Sequence, residues 1–176
     1  MNNGITIRRA TPADAGLWAA TRQKAWAATY RGIYPDSWID QYNLAERTAG
    51  DRKKLSDPQV QSFLVMDGET CAGYFSYGPT PAGEFRLHSL YLLPAYQRQG
   101  LGRRIFCQLA ADCRKEGSSG FYANCNYHNH PARGFYLRMG GKLTAIDGFY
   151  ENKAQDQCRY DYDLTKGEQL WQKNLG

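Results

Sequence analysis

Gln97-Arg98-Gln99-Gly100-Leu101-Gly102-Arg103-Arg104 stands between an apolar run and a stretch of helical periodicity. The run, residues 86–93 (RLHSLYLL), reads as a strand closed by Pro94. In residues 103–116, Ile105, Phe106, Leu109, Ala110 and Cys113 form one apolar side, and Gly117 stops the pattern. A glycine turn from strand into helix places main-chain N–H groups at a helix end, where they and the helix dipole attract an anion. Glycine removes the Cβ that would hold a phosphate off the main chain. Arg98, Arg103 and Arg104 add positive charge. Two phosphate motifs are excluded. A Walker loop needs Lys-Ser/Thr after its last glycine, where Arg103-Arg104 stand. A dinucleotide fingerprint needs glycine at 105, where Ile105 stands. The spacing Gln97-x-x-Gly100-x-Gly102 therefore predicts a bound pyrophosphate outside both of those classes.

Outward from this turn, the chain alternates strands and helices. Residues 5–8 read as a first strand. Thr11-Pro12-Ala13-Asp14 then opens a helix with a capping residue, proline in the first turn and an acid three residues on. Trp18, Arg22, Ala25, Trp26 and Thr29 follow at helical spacing, the arginine interrupting a packable stripe. Gly32 and Pro35 break the pattern, and a second helix starts near Asp36. Residues 63–66 and 71–77 flank Asp67-Gly68, a hairpin signal. Residues 121–125 read as a strand, 131–139 as a short helix ending at Gly140-Gly141, and 142–146 and 158–164 as two further strands. The central strand–helix–strand unit requires a parallel pair with a right-handed crossover, and the hairpin before it an antiparallel section. The expected fold is α/β: a mixed sheet of six or seven strands flanked by helices.

Composition narrows the function. The chain has 176 residues, 42% hydrophobic and 22% charged, which suits one globular domain. A net charge of +5 with no run of five basic residues fits a small anionic ligand better than nucleic acid. No apolar stretch approaches the ~20 residues of a membrane span, and Met1-Asn2-Asn3-Gly4 does not read as a secretory start, so a cytoplasmic protein is expected. Five cysteines, at 71, 107, 113, 125 and 158, form no C-x-x-C pair; free thiols are expected, with neither a disulfide framework nor a metal site. His128 and His130 flank Asn129 without a ligand set beside them.

The glycine turn, following a Leu-Tyr-Leu-x-Pro strand end, resembles motif A of the GNAT superfamily of acetyl-coenzyme A-dependent N-acetyltransferases. Asn129-x-x-Ala132-x-x-Phe135-Tyr136-x-x-x-Gly140 is similar to a second block of that family, and Trp26-x-x-x-Tyr30-Arg31-Gly32-Ile33-x-Pro35 to an N-terminal stretch of its bacterial members. The resemblance spans about residues 5–164, implying a single domain over 1–164 and a short tail, 165–176. Leu170 and Trp171 of that tail can dock on the chain's own sheet or on a neighbouring subunit, which leaves a homodimer open.

The resemblance implies the site. Main-chain groups of Leu90, Tyr91 and Leu92 would pair with the pantetheine arm, and an N–H there would stabilise the oxyanion of the transferring acetyl group. The amides of Arg98, Gln99, Gly100, Leu101, Gly102 and Arg103 would hold the pyrophosphate of acetyl-CoA, and Gln97 would belong to the same coenzyme site. Asn129 would reach the pantetheine and Arg133 an outer phosphate. Tyr136 would protonate the leaving thiolate. Many family members carry a glutamate early in the strand before motif A; Arg86 takes that place here. Glu84 and His88, each two residues away and on the same face of an uninterrupted strand, are the candidate bases, while Arg86 suits an acidic substrate. Trp26, Tyr30 and Tyr34, with Trp38, would line the acceptor side and suit a cationic amine. The implied reaction is direct acetyl transfer to a primary amine of a small molecule, polyamine-like or amino-acid-like. A protein amino group is a second acceptor class, and a non-catalytic acyl-CoA sensor a second function.

Overall fold

The computed structural model describes residues 4–166. Most of the expected tail, including Leu170 and Trp171, lies outside the described residues. The strands are β1 (Ile5–Arg9), β2 (Gln61–Asp67), β3 (Thr70–Pro79), β4 (Phe85–Leu92), β5 (Gly120–Asn126), β6 (Lys142–Asp147) and β7 (Gln157–Asp163). The helices are α1 (Ala15–Tyr30), α2 (Asp36–Asp40), α3 (Leu44–Leu55), α4 (Leu101–Lys115) and α5 (His130–Arg138). The strands hydrogen-bond in the order β1-β2-β3-β4-β5-β7-β6, a seven-stranded mixed sheet with β4 and β5 parallel. Two compact units divide the chain, and β4 runs through both. The first holds residues up to Gly78 with His88–Gln99; the second holds Pro79–Leu87 and residues from Gly100 on.

In the first unit β1 and β3 flank β2, antiparallel to it, and Gly68 takes a φ of 57° in the expected hairpin turn. Trp18 on α1 is fully buried, its ring 4.5 Å from that of Tyr74 on β3. The arginine that broke the apolar stripe of α1 is explained by α3, which the sequence reading passed over. Arg22 donates to Asp51 of α3 at 2.6 Å, and Asp51 is 2% exposed. Helix α3 carries few apolar residues, so its periodicity is faint. Its start was nevertheless marked: Asn43 accepts from the Glu46 N–H at 3.1 Å, a capping signature in Asn-x-x-Glu.

In the second unit β5 and β6 both pair with β7, antiparallel to it. Phe106 of α4 packs edge-on against Phe121 and Tyr162. The five cysteines are free thiols, four of them buried. Cys125 and Cys158 stand opposite each other on β5 and β7 with their Sγ atoms 3.5 Å apart. Among the described residues no helix is long and apolar enough to cross a membrane.

The helix start at Thr11 forms as expected. Asp14 accepts from the Thr11 N–H at 2.8 Å and from Arg8 at 2.6 and 3.0 Å. The Arg8 guanidinium, helped by Thr11, holds the Asp14 carboxyl down at about 2. Because this group titrates lower in the folded chain than in the unfolded one, its contribution is complete above about pH 4 and disappears as pH falls through 2. Asp14→Asn is expected to cost about 1 kcal/mol at pH 7, solvent screening included. Urea denaturation should find that difference gone near pH 2.

Candidate active site

The motif turn begins in the first unit. Pro94–Tyr96 forms a 3-10 turn after β4. Gln97 Nε2 donates to the Leu92 carbonyl at 2.8 Å and Gln99 Nε2 to the Ala95 carbonyl at 2.7 Å. Both side chains are thus engaged in folding the turn. Arg98 is exposed and takes a left-handed φ of 60°, rare for a residue with a Cβ.

In the second unit Gly100 caps α4 with a φ of 81°. The Arg104 N–H donates to the Gly100 carbonyl at 3.1 Å, so helical pairing starts there and the N–H groups ahead of it face out of the helix end. The two motif glycines are required for different reasons. A Cβ at 100 would meet nothing within 4 Å, and conformation alone demands glycine there. A Cβ at 102 would lie 2.7 Å from the Phe135 ring, so Gly102 serves helix packing. The Leu101 side chain is buried, leaving its main chain for a ligand.

Helix α5 carries the second block. Asn129 caps it, Oδ1 accepting from the Ala132 N–H at 3.2 Å. Tyr136 is buried, its ring 5.5 Å from Tyr160 and 6.2 Å from Phe106. Tyr162 fixes the end of α5 by donating to the Tyr136 carbonyl at 3.0 Å. Arg133, expected to meet an outer phosphate, is engaged within the second unit through Nε and Nη1. It donates to the Tyr160 hydroxyl at 3.3 Å and the Tyr127 carbonyl at 3.2 Å, and its Cζ sits 4.2 Å from the Tyr127 ring. Its work is to brace the loop before α5. The same loop is held by His128, which meets Asp156 at 2.6 Å; the Tyr150 N–H and His128 together hold the Asp156 carboxyl below its ordinary range.

The first unit contributes the other half of the predicted set. The Tyr91 carbonyl oxygen would lie 2.3 Å from a Cβ at position 73, so only glycine lets β3 and the end of β4 approach this closely. An isolated glycine in a strand pattern is the signal that could have marked Gly73. The Tyr91 side chain is structural: its hydroxyl meets that of Tyr30 at 2.8 Å, and its ring stacks on Tyr74. The structure brings Trp26, Tyr30 and Tyr34 together, but ring on ring. Tyr30 and Tyr34 stack at 4.2 Å, which leaves no gap for a cation between them. Trp26 meets both edge-on, and Trp38 stays about half exposed beyond Tyr34. His88 is half-buried on β4.

The two acidic and basic candidates of the second unit are separated by role. Glu84 precedes β4 and is engaged as the partner of Arg159, 2.6 Å away, which argues against it as a base. Arg159 also holds Asp161 at 2.7 Å, and Asp161 and Glu84 raise its pKa. Burial would lift the Asp161 carboxyl, yet Arg159 and Thr144 hold it below its ordinary range. Arg86 lies over the Tyr122 ring, Cζ 5.6 Å from its centroid, and makes no ion pair among the described residues. Arg159 and Asp161 carry no sequence signal of their own, since the alternation of aromatic and polar residues in β7 marks a strand and not the partners of its polar side.

The model of the Acetyltransferase (GNAT) family matches residues 20–141, more than half the chain. The chain belongs to this family. As a GNAT protein it is an N-acetyltransferase, with the mixed sheet of that fold. The uncharacterized N-acetyltransferase YuaI of Bacillus subtilis is 26% identical over 82% of this chain and 84% of its own length. The spermidine N(1)-acetyltransferase of Thermoplasma acidophilum is 24% identical over 82% and 92%. The crystal structure of the PaiA N-acetyltransferase of Thermoplasma acidophilum in complex with coenzyme A matches with a TM-score of 0.75 at 19% identity, over 90% of this chain and 98% of that one.

Gly73 and Gly100 separate contact from conformation in this GNAT chain. Gly73→Ala drives a Cβ into main chain and is expected to cost ~3 kcal/mol. Gly100→Ala strains one dihedral in open space and should cost ~1 kcal/mol. Thermal denaturation of the two variants checks the order; Gly73→Ala melting at or above Gly100→Ala would contradict the close approach.

Proposed function

We propose that the protein transfers the acetyl group of acetyl-CoA directly to a primary amine of a small molecule. The observation that carries this reading is the helix end at Gly100, where a left-handed cap turns amide N–H groups outward and Arg103 stands in the first turn of the helix. That cradle suits a pyrophosphate. When bound, the coenzyme supplies a thioester, which activates the acetyl group for transfer.

The chain's own residues then divide the work. Main-chain amides from Arg98 to Arg103 hold the pyrophosphate. The main chain of Leu90, Tyr91 and Leu92 orients the pantetheine arm and polarises the acetyl carbonyl. Asn129, whose Oδ1 is taken by the helix cap, keeps Nδ2 for the coenzyme. Tyr136 donates its hydroxyl proton to the departing sulfur. The amine must lose a proton before it attacks, since an alkyl amine with a pKa of ~10.4 is mostly charged at neutral pH. With Glu84 committed to Arg159, His88 or an ordered water is the acceptor of that proton. The spermidine acetyltransferase relative supports a small-molecule amine at a family level of likeness.

Tyr136→Phe separates catalysis from binding. Acetyl transfer to a panel of amines, followed by thiol release, is expected to fall about 100-fold in kcat. The dissociation constant for acetyl-CoA should stay within about threefold of the parent chain. Unchanged kcat would remove the tyrosine from the mechanism, and loss of binding alone would favour a sensor.

A further inference from the structure

One face of the sheet in the second unit carries two buried polar atoms that have no hydrogen-bond partner among the described residues. Arg86 pairs in register with Tyr122, so both lie on one face, and Asn124, two residues on along β5, shares it. Arg159 and Asp161 oppose Asn124 and Tyr122 from β7. The two guanidiniums share the Tyr122 ring, Arg159 with its Cζ 3.7 Å from the centroid and Arg86 at 5.6 Å. Their charges are treated differently. Arg159 is bound by two carboxylates, Glu84 and Asp161, and is neutralised within the fold. Arg86 has no carboxylate among the described residues, and its Nε is shut from solvent without an acceptor. Asn124 is its complement: its Oδ1 is equally buried and accepts no hydrogen bond. An unmet cationic donor and an unmet neutral acceptor thus flank one aromatic ring. A buried polar atom without a partner is costly, and such atoms persist where a ligand supplies the missing bond.

We propose that this face is a subsite for an α-amino-carboxylate head group, so that the acceptor is a diamino acid rather than a plain diamine. The planar fork of Arg86 takes the carboxylate, and Asn124 Oδ1 accepts from the α-ammonium. The α-amine held there is protected by that bond, and the amine at the other end of the substrate is the one acetylated. A polyamine gains nothing from this face, because Arg86 repels its cations. The inference rests on the acetyltransfer reading above and names the substrate class of that reaction.

The test is steady-state acetyl transfer by the full chain to lysine and ornithine beside cadaverine and putrescine, the same chains without the carboxylate. The parent chain is expected to favour lysine over cadaverine, or ornithine over putrescine, in kcat/KM. In Arg86→Gln that preference should fall roughly 10- to 100-fold, through KM rather than kcat. Arg86→Lys, which keeps the charge and loses the fork, should recover only part of it. Melting temperature and acetyl-CoA binding establish that each variant is folded. A parent chain that prefers the diamines overturns the subsite alone, as does an Arg86→Gln that lowers both classes equally. Coenzyme binding with transfer to neither class overturns the acetyltransfer reading and the subsite with it.

Discussion

A left-handed residue at position 100 is the constraint on which the second unit's chemistry depends. With φ at 81° the chain leaves the motif turn and enters α4 with its first amide groups at an open helix end. A residue with a Cβ would resist that conformation, and the helix would start elsewhere. Two residues on, the absent side chain of Gly102 admits the Phe135 ring. Phe135 and Phe106 meet edge-on at 5.3 Å, and that contact ties α5 to α4. Helix α5 in turn positions Asn129 and Tyr136. A dihedral requirement and a packing requirement, two residues apart, thus place both the anion cradle and the proposed acid.

The order of elements was legible because most of them announce themselves by period or punctuation. The hairpin at Asp67-Gly68, the strand ending at Pro94 and the apolar side of α4 all form where their residues imply. Helix α3 was not legible from periodicity, since a helix that packs through an ion pair and a few small residues shows little apolar stripe. Its role appears only once Arg22 is seen to need Asp51. The glycine turn was legible as a motif, but not the division of labour among its side chains. Nothing in the sequence says that Gln97 and Gln99 turn their amides back on the chain, or that Arg133 is spent on Tyr127 and Tyr160. Side-chain hydrogen bonds of this kind are set by local geometry that spacing does not encode.

The acceptor side shows the same limit with a different cause. The aromatic residues near the end of α1 form a group, as their spacing implies, yet they satisfy one another by stacking. The spacing of the charged residues of β7 marks a strand without naming their partners, although Asp161 helps to neutralise Arg159. Charge pairing across strands depends on register, and register follows from the whole sheet. Only the paired strands distinguish Arg159, held by two carboxylates, from Arg86, held by none among the described residues.

Titration calorimetry of the full chain with acetyl-CoA, run beside coenzyme A and ATP, tests the account at its centre. Micromolar binding of both coenzyme forms, with none of ATP, is the expected result, since the proposed site takes a pyrophosphate joined to a pantetheine arm. Absence of binding by either coenzyme form would reduce Gly100-x-Gly102 to a plain turn and contradict the account.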